Sequence, residues 1–109
     1  MNNVYSITSV PDNIATVVNG ITVPDRAPYS LNGLYIACEA DLFFQIRLNV
    51  DVIFSGYLTG TNTTKHIDFS SSPYGLNARD VVTVTAIQAD PLTPPATYVV
   101  YSTLLVEQL

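Results

Sequence analysis

At 109 residues the chain has room for one hydrophobic core. Its net charge of −5, with Arg26, Arg47, Lys65 and Arg79 scattered singly, argues against the clustered basic surface needed to bind nucleic acid or an anionic membrane. Cys38 is the single cysteine, which excludes an intrachain disulfide and a cysteine-based metal site.

The composition is 48% hydrophobic and only 12% charged, where about 25% charged is usual for a soluble domain. So few charges predict that other protein covers part of the surface, with Thr, Ser and Asn solvating the rest. Met1–Ser6 has neither a basic segment nor a long apolar run, so no signal peptide is expected. No apolar run approaches the ~18–20 residues of a spanning helix. The expectation is a soluble chain made in the cytoplasm and complete from Met1 to Leu109.

Val, Ile, Thr, Tyr and Phe dominate, and no window shows helical periodicity with caps, so almost no helix is expected. The first strand is predicted over Val4–Val10, stopped by Pro11-Asp12. Ile14–Val18 and Ile21–Val23 flank Asn19-Gly20, the strongest short signal for a two-residue hairpin turn. Pro24–Ser30 reads as a loop and Leu31–Ala40 as the next strand, with Cys38 as a small buried hydrophobe. Leu42, Phe44, Ile46 and Leu48 alternate with Phe43, Gln45, Arg47 and Asn49, which predicts a strand with one buried face. Asn49-Val50-Asp51 is either a tight turn into Val52–Leu58 or part of one long bent strand.

Gly60–Thr64 is a polar loop, Lys65–Phe69 a short strand, and Ser70–Gly75 a longer connection. Asp80–Gln88 is a strand with Val82, Val84 and Ala86 on one face. A stiff loop follows through Pro95. Thr97–Val106 is apolar on both faces, which predicts a central or covered closing strand. About eight short antiparallel strands at this spacing mean a sandwich or barrel, and an all-β sandwich is expected.

Few groups suggest chemistry. His66 and Asp68 project from one strand face, as would a general base with its carboxylate or half of a metal site. A triad or metal site needs further converging groups, and a solvated strand face is the default. Asp41, Asp51, Asp68, Asp80 and Asp90 fall mostly at strand ends and turns, where Asp bonds locally. No catalytic residue, metal ligand or cofactor is assigned. Asn62-Thr63-Thr64 matches a glycosylation sequon but reads as a polar loop.

The seven tyrosines suit protein interfaces, although some must be core. Tyr29 and Tyr74, in predicted loops beside prolines, are candidates, as are Tyr98 and Tyr101 of the closing strand. Val4, Tyr5 and Ile7 are candidates because residues 1–12 read as a β-prone arm able to extend a neighbour's sheet.

The block Leu76-Asn77-Ala78-Arg79-Asp80-Val81-Val82-Thr83-Val84 resembles a recurrent feature of trimeric jelly rolls of the tumour-necrosis-factor and C1q type. There a Leu-x-x-Gly-Asp turn leads into a Val/Thr-rich strand; here Arg79 stands in the glycine position. Thr97–Val106 resembles the closing strand of such modules. With its small size and acidity, the whole resembles a tailed-phage head decoration (cement) protein. That resemblance implies a jelly-roll-like homotrimer on the virion's capsid surface, bound to the major capsid protein and bracing contacts between its subunits. The alternative is a tail or fibre module that recognises a host receptor or glycan.

Overall fold

The computed structural model describes residues 3–11, 14–25, 28–59, 63–89 and 97–109. Nine strands follow in chain order: β1 (Val4–Val10), β2 (Thr16–Thr22), β3 (Tyr29–Ala37), β4 (Leu42–Leu48), β5 (Asp51–Leu58), β6 (Thr64–Asp68), β7 (Tyr74–Leu76), β8 (Val81–Gln88) and β9 (Tyr98–Gln108). There is no helix among the described residues. One sheet runs β1-β9-β3-β6, with β7 also paired to β3, and the other runs β2-β8-β4-β5. All the pairings are antiparallel. β6 and β7 lie end to end along the same side of β3, so together they fill one strand position. The result is the two interlocked four-strand sheets of a jelly roll, in which the first and last strands pair.

Period-two patterning builds the core between the sheets. Leu42, Phe44 and Ile46 of β4 and Val82, Val84 and Ala86 of β8 point inward from one sheet. Leu31, Leu34 and Ile36 of β3 meet them from the other, with Val100, Leu104 and Val106 of β9. Burying one such aliphatic side chain is worth roughly 1.5–3 kcal/mol. The predicted centrality of the closing strand is observed, for β9 pairs with β1 on one side and β3 on the other. Cys38 is buried among these residues, and burial is the main cause that pushes its thiol pKa up.

A line of rings, Phe44–Phe54–Phe69–Tyr74, closes the core near β5, at centroid separations of 6.0, 6.3 and 5.1 Å. Gly56 leaves room for it, because an added Cβ would lie 2.9 Å from the Phe44 ring. Gly33 has a similar reason: a Cβ there would collide with the Ile67 carbonyl oxygen of β6.

Asn19-Gly20 is not a hairpin turn. Both residues lie inside β2, which runs unbroken past them and carries a bulge between Val17 and Asn19. The bulge turns Val18 and Asn19 inward in succession. The buried Asn19 amide then donates to the Val4 carbonyl of β1 at 2.9 Å and to Ser102 Oγ of β9 at 3.1 Å. Its Oδ1 accepts the Gly20 N–H at 2.7 Å. Thr8 Oγ1 donates to the Val18 carbonyl at 3.1 Å, so polar bonds tie the two sheets together along the β1/β2 margin.

Asn49-Val50 is the two-residue turn of the β4–β5 hairpin, which resolves the alternative of one long strand. Asn49 takes φ 56°, a left-handed conformation that Asn tolerates. Its backbone N–H donates to the Val81 carbonyl at 2.7 Å, and its side-chain oxygen accepts the Val81 N–H at 2.9 Å. The Leu76–Asp80 turn keeps its left-handed residue even without glycine, because Arg79 itself adopts φ 68°. Asp80 holds the turn through its carboxylate, which accepts the Asn77 N–H at 2.8 Å. That bond, aided by the Asn49 side chain, lowers the Asp80 pKa.

Candidate functional site

Inward positions of the β1-β9-β3-β6 sheet are used by the core, so any site on it belongs to the outward positions. Register places those side chains in rows. Tyr5, Thr103, Tyr35 and His66 form one row across β1, β9, β3 and β6. Ile7, Tyr101, Ala37 and Thr64 form the next, and Ser9 and Val99 a third. Tyr5 and Ile7 are 62% and 57% exposed, and Tyr35, Val99 and Tyr101 are 40–47% exposed. Strands about 4.8 Å apart bring these side chains into one continuous aromatic and aliphatic patch. Patches of this kind on a small protein mark surfaces that another molecule covers.

At its centre Tyr5, Tyr35 and Tyr101 rim a depression of about 120 Å³, with Ala37 and Thr103 among its lining residues. His66 is exposed, and its ring stacks on Tyr35 at 4.1 Å between centroids and 17° between planes. Asp68, two residues on, accepts the Ser70 N–H at 2.8 Å. Hydrogen bonding from Ser70, side chain first and then backbone, lowers the Asp68 pKa. Among the described residues, no group of three or more His, Cys, Asp or Glu side chains is placed to hold a metal ion.

The candidates named from sequence separate into two groups. Tyr5, Ile7 and Tyr101 meet on the outward patch. Tyr29 belongs to the core at 4% exposure, because it lies in β3 paired to Leu76 rather than in a loop. Tyr74 likewise lies in a strand, β7, with its ring edge-on to Phe69. Val4 and Tyr98 are half-buried and pack against the core. Val4–Val10 runs as β1 along the margin of the chain's own sheet, beside β9. Tyr35 and Val99 were not singled out from sequence. Alternation in β3 and β9 carries the signal for both, but register alone joins them to Tyr5.

No protein-family model and no curated protein sequence matches the chain.

Proposed function

We propose that the chain is a structural binding protein that works by covering this patch with another protein, in the manner of a phage head decoration protein. On this reading it binds the outside of a capsid, as a homotrimer, and stabilises contacts between major capsid protein subunits. The observation that carries the reading is the contiguous exposed patch of Tyr5, Ile7, Tyr35, Val99 and Tyr101 on one jelly-roll face. Tyr is enriched at interfaces because it combines a large contact area with a polar tip. A decorating protein needs little more than such buried area, well placed, at each of many equivalent positions.

Quantitative mass spectrometry of purified particles tests the proposal, with sedimentation of the isolated protein beside it. The expected result is hundreds of copies per particle, fractionating with heads, and a trimer at micromolar concentration. A handful of copies fractionating with tails would replace this reading with that of a receptor- or glycan-binding tail module. Absence from particles would end both, and a stable monomer would remove the trimer.

A further inference from the structure

Charge is distributed unevenly around the patch. Its centre carries no lysine or arginine among the described residues. Arg47 projects from β4 in the opposite sheet, and Arg79 pairs with Asp25 at 3.0 Å on a turn. Lys65 alternates with His66 along β6 and so points away from the outward face. Among the described residues that share this face, the charges on the margin are carboxylates. Glu39 lies beside Tyr101 in a second shallow depression, Asp68 shares the face of His66, and Glu107 continues the outward series of β9 beyond Thr103. The whole chain carries −5. Two such faces would repel one another, whereas a basic surface would be drawn to this one.

The depression at the centre brings three phenol rings together, one of which, Tyr35, carries the His66 ring stacked on it. Thr103 of β9 lies between Tyr5 of β1 and Tyr35 of β3, so the two ring stems stand roughly 10 Å apart, at two strand spacings. A flat group held between two ring faces needs roughly 7–8 Å. Tyr101, two residues from Thr103 on the same face, closes the third side. The volume of about 120 Å³ is of the size of the end of one side chain. Ring faces attract cations through their quadrupole, most strongly guanidinium and ammonium groups.

Resting on the docking face argued above, we propose that the Tyr5–Tyr35–Tyr101 slot accepts an arginine or lysine side chain from a basic patch of the partner protein. The carboxylates of Glu39, Asp68 and Glu107 attract that patch at longer range, so binding weakens as salt rises. The apolar surround of Ile7 and Val99 excludes water from the seated side chain.

An NMR titration tests the inference with N-acetyl-arginine methylamide and its neutral citrulline counterpart as probes. It follows the ring signals of Tyr5, Tyr35 and Tyr101 and the Thr103 methyl. The arginine probe should shift these signals saturably, and citrulline should bind about two- to fivefold more weakly. Thr103→Phe fills the slot from its floor while retaining all three tyrosines and strand propensity, and should abolish the response. Equal responses to the two probes, or a response that survives Thr103→Phe in a folded variant, overturn the inference.

Particle binding by Thr103→Phe and Tyr101→Ser separates the two levels of the argument. If both variants lose particle binding while the two probes behave alike, the docking face stands and the cationic partner falls. If both variants bind particles as the native chain does, the docking face falls and the slot inference with it.

Discussion

The two sheets of the sandwich are alike inside and different outside. Each contributes alternating aliphatic side chains to a shared core. Outward, the β2-β8-β4-β5 sheet places Val17 in one row with Ser55, Gln45 and Thr85, and Val52 in the next with Arg47 and Thr83. Val17 and Val52 stand singly at opposite ends of these rows, beside Thr85 and Arg47. Tyr57 packs against Phe43 at 4.9 Å toward one end, while Val50 and Val81 stand near the β4–β5 turn at the other. The β1-β9-β3-β6 sheet instead gathers three exposed tyrosines, Ile7 and Val99 without a polar row between them. Folding constrains inward positions of an antiparallel sheet and leaves outward ones to solvent or a partner. A face that keeps aromatic groups where threonine would serve as well therefore reports on what covers it.

The comparison is broken most severely through the core that both sheets share. Phe44→Ala should destabilise the fold by about 3–5 kcal/mol, since it removes a fully buried ring and opens a cavity. Urea unfolding measures the loss, and binding would fall only as the folded fraction does. A smaller break lies at the bonds between sheets. Asn19→Ala leaves the Val4 carbonyl and Ser102 without their amide partner and should cost about 1–3 kcal/mol in the same assay.

Matched outward substitutions then set one face directly against the other. Tyr101→Ser and Gln45→Ser should each change stability by less than about 1 kcal/mol. Only Tyr101→Ser should weaken association with the partner, by about tenfold or more if the ring is an interface anchor. Equal binding by the two variants would abolish the functional distinction between the faces.

The smallest effect concerns the Leu76–Asp80 turn, whose Asn77, Ala78 and Arg79 are exposed. Because the folded-state pKa of Asp80 is lowered, its stabilising contribution is present above the ordinary aspartate range near pH 4. It is lost as pH falls through the lowered value. The Tm advantage of the native chain over Asp80→Asn should therefore shrink as pH drops below about 4. A gap independent of pH would remove the carboxylate from the account of this turn.

Much of the fold was legible locally. The Leu42–Leu48 alternation, the Val/Thr pattern of Val81–Gln88 and the apolar closing strand each carry period-two information within a few residues, because one buried face repeats every second side chain. Asn19-Gly20 shows where local reading stops. The pair is chemically suited to a turn, but a bulge directs Asn19 inward, where its partners are Val4 and Ser102, the latter 83 positions away. Tyr29 and Tyr74 look like loop residues beside prolines, and the pairing of β3 with β7 draws both into strands.

The regularly alternating strands β4, β8 and β9 and their buried faces were thus determined by the sequence alone, since alternation follows from the geometry of a single strand. Only the tertiary structure decided which strands lie side by side. The aromatic face depends on that arrangement. Tyr5, Tyr35 and Tyr101 come from β1, β3 and β9, and the antiparallel registers of β9 with β1 and with β3 bring them around Thr103. Hydrogen-bond register between strands distant in sequence is fixed by the packing of the whole core, so no local window contains it.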